Sequence, residues 1–337
     1  MHARHRRGWT MLTLAVALVA AACAQQPPSE STGAGASPGG APAQRTLRLY
    51  TTVTEDTVEA VVSGYTDANP EVDVELFRAP TGELNARIAA EQREGGIRAD
   101  VLWLTDPVSM HAYDVEGLLR PIEPAEADAV PAEYRTEVSV GTRILDMAVI
   151  HGADVEPPAT WKDLTDPAYA DGVALPDPAF AGSALGVLGY FALDDDYGLD
   201  YYRALKDNGA VTVPAPDEVV TGVAEGRYSA GMTLGTSARA AIEQGSPIEL
   251  VRPEPGAIAV YSPIGAVDGE GDTEAADAFV DFVLRRPAQQ AIAETGWQPI
   301  RDDIEWPHEG PQVVPDWPAV LERQADLLSE YQAIFGG

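Results

Sequence analysis

Cysteine occurs once in the 337 residues, lysine twice, at Lys162 and Lys206, and histidine five times. A lone thiol makes no intramolecular disulfide and no paired-cysteine metal site, which excludes a disulfide-stapled scaffold. Basic residues are scarce altogether, with 22 Lys+Arg against 53 Asp+Glu and a net charge of −31. That balance excludes a nucleic-acid binder, because phosphate backbones need clustered Lys and Arg to release their counterions. It also opposes electrostatic docking on anionic lipid. The apolar run Met11–Ala22 has 12 residues, short of the roughly 20 that a helix needs to cross a bilayer. Catalytic signatures are missing too: there is no Gly-x-Ser-x-Gly elbow, no His-Glu-x-x-His and no Walker-type loop. His2 and His5 lie in the leader, while His111, His151 and His308 are far apart in sequence, so structural or surface roles are expected of them. Asp194-Asp195-Asp196 lacks the alternating acidic positions and the Gly of a calcium loop and is expected to be a solvated turn. What the chain does have is 45% hydrophobic residues, enough for a sizeable core in one or two domains.

The leader accounts for the single cysteine. Arg4, Arg6 and Arg7 form a basic start, Met11–Ala22 an apolar stretch, and Ala20-Ala21-Ala22-Cys23 follows directly, which is the layout of a secretory signal. The Cys stands where a bacterial lipoprotein signal places its acylated residue, with Ala20 where Leu is commoner. Residues 1–22 are therefore expected to be a signal peptide and Cys23 a lipidation site; ordinary cleavage after Ala20-x-Ala22 would leave Cys23 as the first mature residue. Arg6-Arg7 leaves twin-arginine export open as the route. Residues 24–45 hold no aromatic or large aliphatic side chain and cannot offset their ordering entropy by burial. Together with Cys23 they form an expected flexible linker, 23–45, with a reach of roughly 25 Å.

From residue 46 onward the apolar period changes repeatedly. Leu47–Thr52 reads as a strand and Glu55–Ala68 as a helix stopped by Asn69-Pro70, since proline disfavours helical backbone in the residue before it. Val72–Phe77 alternates Val72, Val74 and Leu76 against Asp73 and Glu75, a second strand. Thr81–Glu94 reads as a helix ended by Gly95-Gly96, and Asp100–Leu104 as a third strand. This βαβαβ order makes a mostly parallel sheet covered on both faces. Further strands are expected at Val173–Leu175, Ala230–Thr233, Ile248–Val251 and Ile258–Val267. Helices are expected at Ser183–Leu193, Tyr197–Asn208, Asp217–Glu225, Ser237–Gln244, Thr273–Leu284 and Pro287–Glu294. Trp317–Phe335 carries Leu321, Leu328 and Tyr331 on a helical period. The alternation fits two α/β lobes on one chain better than one long sheet.

Small hydroxyl residues recur at the strand-to-helix turns: Thr51, Thr52 and Thr54 after the first strand, Thr81-Gly82 before the second helix, Ser183 and Thr236-Ser237 before later ones. Free backbone N–H groups and the positive dipole end at a helix start suit a phosphate, phosphonate or carboxylate. In open α/β sheets such turns lie outside the carboxyl ends of the strands, where ligands bind. Taken singly, each hydroxyl reads as a plain N-cap, which contributes about 0.5 to 2 kcal/mol; it is their recurrence at sheet turns across both lobes that points to a ligand.

Several segments carry a resemblance in order along the chain. They are Leu47–Thr52, Gly82–Glu91 with Ala99-Asp100-Val101, Pro158–Pro167, Gly226–Gly231, Pro253–Gly256, and Ala275–Phe282 with Gln289-Gln290. Together they resemble the extracellular solute-binding proteins of ABC transporters, in the branch related to ferric-iron and phosphonate binders. Residues 120–155 match least. The resemblance implies a type II periplasmic-binding-protein fold: two lobes, each a mostly parallel sheet flanked by helices, joined by two crossing strands, with the ligand cleft between them. It also implies delivery of a small solute to a membrane permease with a cytoplasmic ATPase. Residues 46–140 plus 258–297 are expected to form the N-terminal lobe, and 141–257 plus 298–337 the C-terminal lobe.

One departure concerns the ligand. Iron-binding relatives carry an adjacent Tyr pair just after the strand that here reads Ala230–Leu234, but this chain continues Gly235-Thr236-Ser237. The family's His near Thr54 and acidic ligand near Thr105 are absent as well, with Asp106 one residue from the acidic slot. Tyr201-Tyr202 lies inside an expected helix, where adjacent side chains diverge by about 100°. The expected ligand set is therefore Thr51, Thr52, Thr54, Arg78, Thr81, Gly82, Trp103, Thr105, Ser183, Thr236, Ser237 and Tyr261, with no metal and no cofactor. Arg78 would grip an oxyanion through two parallel bonds, and Trp103 and Tyr261 would floor the cleft. The expected protein is a monomeric, non-catalytic, lipid-anchored binder on the outer face of the cell membrane, holding a phosphonate or phosphate ester. A ferric-iron binder with a rearranged site and an extracytoplasmic hydrolase are the alternatives.

Overall fold

The computed structural model describes residues 44–307 and 310–336. The expected signal peptide, the Cys23 lipidation site, all but the last two residues of the linker, and His308 lie outside the described residues. The elements run β1 (Arg45–Thr51), α1 (Glu55–Ala68), β2 (Val72–Arg78), α2 (Thr81–Glu94), β3 (Val101–Trp103), α3 (Pro107–Val115) and β4 (Ser139–Gly152). There follow β5 (Val173–Pro176), α4 (Gly182–Leu193), α5 (Gly198–Asp207), β6 (Val211–Val213), α6 (Pro216–Ala224), β7 (Ala230–Leu234), α7 (Gly235–Glu243) and β8 (Ile248–Val251). The chain closes with β9 (Ala257–Ala266), α8 (Thr273–Leu284), α9 (Arg286–Glu294), β10 (Gln298–Pro299), β11 (Gln312–Val313), α10 (Trp317–Glu322) and α11 (Gln324–Phe335). No helix of the described residues is long and apolar enough to cross a membrane.

The sheet runs β2-β1-β3-β9-β4-β7-β5-β6. At one end β1 pairs in parallel with β2 and β3, and at the other β5 pairs in parallel with β6 and β7. Between these halves lie the two long strands, β9 and β4, antiparallel to each other and to β3 and β7 respectively. They are the connection between two parallel sub-sheets, as expected of two crossing strands. Each sub-sheet needs crossover helices to return the chain, and those helices bury the apolar faces. Thus α1 buries Val58, Val61 and Tyr65, and α8 buries Phe279 and Val283. The Tyr65 ring meets Phe279 edge-on at 5.0 Å.

Helices α1, α2 and α8 begin and end at their expected residues. Gly95 and Gly96 follow α2 at φ 126° and 140°, a backbone region that side-chain-bearing residues avoid. The Trp317–Phe335 tail is two helices, not one, because the chain turns at Arg323. β4, α3 and the short strands β6, β10 and β11 had no counterpart in the expected elements. β4 is buried along both faces for 13 of its 14 residues, so it shows no alternation, and Arg143 and Asp146 interrupt its apolar run. Its pairing with β9 shifts register between Gly141 and Arg143, a β-bulge centred on Thr142.

Tyr201 and Tyr202 are buried in α5, where Tyr201 Oη donates to the Trp161 carbonyl at 2.8 Å. His151 is buried with Nδ1 3.0 Å from the Gly152 carbonyl oxygen, and His111 lies beside Asp114 at 3.8 Å. Asp194 accepts from the Asp196 amide at 2.8 Å in a turn.

Candidate functional site

The carboxyl ends of the strands from both halves converge on a cavity of about 790 Å³. From one half come Thr52 and Thr54 after β1, Arg78–Glu83 after β2 and Thr105 after β3. From the other come Ala179–Ser183 after β5, Pro214–Glu218 after β6 and Leu234 at the end of β7. Arg143 and Leu145 of β4, with Trp297, complete the wall.

Three helices present their first turns here without a side-chain cap. The N-cap positions of α2, α4 and α6 are Pro80, Ala181 and Ala215, and none makes a side-chain capping bond. Elsewhere α3, α8 and α10 are capped by Asp106, Asp272 and Asp316, whereas α5, α9 and α11, which also start away from this cavity, make no side-chain capping bond. Thr81 and Ser183 therefore sit inside their helices rather than at the cap, so helix capping does not account for them. Thr52 and Thr105 are tied together, Oγ1 to Oγ1 at 3.0 Å, and the Thr105 amide donates to Thr52 Oγ1 at 2.9 Å. Arg78 Nε donates to the Val53 carbonyl at 2.7 Å, which anchors the side chain on the β1–α1 loop.

Arg143 is the residue that motif and spacing did not single out. Its side chain is 0% exposed and borders the cavity. Among the described residues its one hydrogen bond is a long one, Nη1 donating to Thr57 Oγ1 at 3.4 Å, and Nε and Nη2 have no partner. The guanidinium packs over the Trp297 ring, 4.2 Å from its centroid. Burial pushes its pKa down to about 9, with the charge of Asp56 acting upward and that of Arg78 further downward. A buried cation without a counter-charge costs several kcal/mol, and an unpaired buried donor about 1 to 3. An oxyanion between Arg143 and the uncapped helix ends would offset both. The one sequence signal was an Arg in a mostly apolar stretch that Asp146 also interrupts, since Arg is almost never fully buried unless it is paired.

The bulge at Thr142 sets where Arg143 points, because an extra residue in one strand re-aims the side chains around it. Thr142 is held on three sides. Trp103 Nε1 donates to its Oγ1 at 2.8 Å, its Oγ1 donates to the Ser262 carbonyl at 2.8 Å, and Gln289 Nε2 donates to its carbonyl at 2.8 Å.

Of the twelve expected ligand residues, Thr52, Thr54, Arg78, Thr81, Gly82, Thr105 and Ser183 line the cavity. Thr51, Trp103 and Tyr261 do not. Thr51 is buried and bonds the Trp103 carbonyl at 2.6 Å. Trp103 lies beneath the cleft and supports the bulge rather than forming its floor. Tyr261 is buried between Tyr134 and Trp317, its hydroxyl pKa raised by that burial. Thr236 and Ser237 line an adjoining cavity instead, and Thr236 Oγ1 donates to the Gly296 carbonyl at 2.9 Å. A Cβ on Gly235, where α7 begins, would collide with the Asp146 carboxylate, so a protein carboxylate already covers that helix start.

Asp106 is capped into α3, its Oδ1 accepting from the Ser109 amide at 2.7 Å, and it is not part of the cavity wall. Burial raises its pKa. Its other oxygen faces Gly182, where a Cβ would collide with it. Gly182→Ala should therefore cost about 1 to 3 kcal/mol by overpacking, read as a lower melting temperature; an unchanged melt would show that the two halves separate freely at this contact. Among the described residues no three His, Cys, Asp or Glu side chains come together as a metal site.

A cleft between two parallel sub-sheets, walled by strand ends and helix starts from both, defines a solute-binding protein. The chain belongs to the bacterial extracellular solute-binding proteins, whose family model matches residues 47–298. It is similar to the sulfate-binding protein of Synechocystis sp., at 24% identity over 328 residues, covering 90% of this chain and 86% of that one. In structure it is similar to the periplasmic binding protein AfuA of Actinobacillus pleuropneumoniae with bound fructose-6-phosphate. The TM-score is 0.76 at 19% identity, over 87% of this chain and 99% of that one. Iron-bound HitA of Pseudomonas aeruginosa superimposes with a TM-score of 0.74 at 18% identity, over 86% and 99% of the two chains. The fold is the two-lobed type II periplasmic-binding-protein fold of ABC-transporter solute-binding proteins related to iron and phosphonate binders.

Proposed function

We propose that this substrate-binding protein of an ABC transporter captures a small organic oxyanion, such as a phosphonate or phosphate ester, and releases it unchanged to a permease with a cytoplasmic ATPase. The observation that carries this is Arg143, a fully buried guanidinium with two unpartnered nitrogens at the cavity wall. Arg78, the uncapped starts of α2 and α4, and the Thr52–Thr105 pair supply further donors around it. A cavity of about 790 Å³ leaves room for an organic body beyond the oxyanion, and Leu145, Phe180 and Leu234 offer it apolar wall. The sulfate-binding relative and the fructose-6-phosphate-bound neighbour are in keeping with an oxyanion. The lobes would be residues 46–140 with 258–297 and residues 141–257 with 298–337, closing around the solute by hinge motion. The protein would act as a monomer without turnover, exported and tethered to the outer face of the membrane through a lipid on Cys23.

Thermal denaturation with a panel of phosphonates, phosphate esters, carboxylates, polyamines and Fe³⁺ tests this. A ligand at 100 times its dissociation constant adds about 2.7 kcal/mol of stability, and an organic oxyanion is expected to produce that shift. A shift by Fe³⁺ alone, or by polyamines alone, would overturn the proposal. Consumption of any panel member with turnover would replace it with a hydrolase.

A further inference from the structure

The hydroxyl groups beside Arg143 have fixed hydrogen-bond directions, and those directions decide what the cleft can take from a solute. Thr295 Oγ1 lies 2.8 Å from the Ile292 carbonyl oxygen in the last turn of α9, and only the hydroxyl can donate in that pair. Thr57 Oγ1 lies 2.9 Å from Thr295 Oγ1. A hydroxyl has one hydrogen, and that of Thr295 is already used, so Thr57 donates to Thr295. Thr54 Oγ1 lies 2.9 Å from Thr57 Oγ1, and by the same count Thr54 donates to Thr57. The buried Thr57 hydroxyl is then saturated: it gives its proton to Thr295 and accepts from Thr54 and from Arg143 Nη1. The three hydroxyls form a one-way relay.

The consequence falls on Thr54, which lines the cleft. Its proton is directed away from the cavity, so its oxygen meets the solute with lone pairs only. One shared hydroxyl, that of Thr57, separates it from the Arg143 guanidinium, so an oxyanion seated on Arg143 has this acceptor for a neighbour. A fully ionised oxyanion has no proton to offer and would set its own lone pairs against those of Thr54. We propose that the cleft selects a singly protonated oxyanion, whose O–H donates to Thr54 while its ionised oxygens accept from Arg143. Thr54 is the specificity-determining residue, and Thr57 and Thr295 are positioning residues that hold its proton away from the solute. This deepens the oxyanion reading and rests on it. Phosphate esters and phosphonates can carry the required proton near neutral pH, whereas sulfate esters and sulfonates cannot.

Calorimetric titration with propyl phosphate and propyl sulfate between pH 5 and pH 8 tests this. The two esters have the same shape, and a phosphate ester loses its second proton with a pKa of about 6. Propyl phosphate is expected to bind at least about tenfold more tightly than propyl sulfate at pH 5, the value of one hydrogen bond to a charged group. It should weaken about 100-fold by pH 8, as the monoanion disappears. The ionisable side chains around Thr54 are Arg78, Glu83, Arg143, Asp217 and Glu218 in the cleft, and Asp56, Asp217 and Glu225 in the adjoining cavity that Thr54 also borders, with no histidine lining either. Arg143, its pKa pushed down to about 9 by burial, stays mostly charged up to pH 8. Propyl sulfate does not titrate in this range, so its affinity reports any change in the protein itself.

Thr295→Val removes the acceptor at the foot of the relay. Thr57 can then donate to Thr54, which turns its own proton toward the solute. This variant should gain about tenfold in affinity for propyl sulfate and lose most of the pH dependence toward propyl phosphate, and Thr295→Ser, which keeps the hydroxyl, should restore both. A gain of binding does not come from misfolding, and circular dichroism melts check each variant. Propyl phosphate that binds equally at pH 5 and pH 8, or a Thr295→Val protein with the parent's selectivity, overturns the relay and leaves the oxyanion reading standing. Failure of both esters to bind at any pH overturns the oxyanion reading itself.

Discussion

Replacing Arg143 by Met should lower affinity for the oxyanion at least about 100-fold, since each hydrogen bond to a charged group contributes about 1.5 to 3 kcal/mol. The same substitution should raise the stability of the unliganded protein by about 1 to 3 kcal/mol, because it removes a buried charge and leaves an apolar side chain of similar length. Opposite signs for binding and folding distinguish this from an ordinary core change. The guanidinium is 0% exposed, two of its nitrogens have no partner, and burial already depresses its pKa. Arg143→Lys should also bind poorly, since an ammonium cannot present the planar fork of donors that an oxyanion accepts. Calorimetric titration and thermal denaturation of the two variants read both quantities. A variant that keeps its affinity, or melts well below the parent, would show that Arg143 is a structural cation and not the anion's seat.

The second large effect is expected at Gln289, which never touches the cleft. Its Nε2 donates to the Thr142 and Val283 carbonyls at 2.8 and 2.9 Å, and its Oε1 accepts from the Ile300 amide at 3.0 Å, all within a buried environment. Gln289→Met leaves three buried backbone groups unpaired, and at about 1 to 3 kcal/mol each, with partial relaxation, a loss of about 3 kcal/mol is expected. Because Thr142 is the bulge residue beside Arg143, affinity should fall as well. Gln290→Met, next door but exposed, should change neither. Urea denaturation gives the first quantity and calorimetry the second. A Gln289→Met protein that loses stability while retaining full affinity would separate the bulge from the aim of Arg143.

Much of the framework was legible because it is written locally. The βαβαβ opening follows from period alone, and the termini of α1 and α2 follow from Asn69-Pro70 and Gly95-Gly96, whose backbone preferences act within one turn of the helix. The hydroxyl and glycine residues on the cavity wall were likewise found by position, since the carboxyl ends of parallel strands gather on one side of a sheet. Helix α3 and strand β4 escaped for opposite reasons. The first is short, at nine residues, and the second is central and covered on both faces, where alternation disappears. With β4 went Arg143, whose neighbours in the site come from β2, α1 and the segment around Trp297, distant in sequence.

By itself the chain determined most of its elements, their parallel pairing, the two-lobed plan and the family, because these depend on period, turn chemistry and the order of short segments. Only the tertiary structure decided which side chains face the cleft. Whether Trp103 floors the ligand or braces a bulge, and whether Thr236 meets solute or the Gly296 carbonyl, depends on partners tens to hundreds of residues away. The buried, unpaired state of Arg143 is of the same kind: a guanidinium is ordinary in any sequence, and it becomes a binding group when packing removes it from water without giving it an anion.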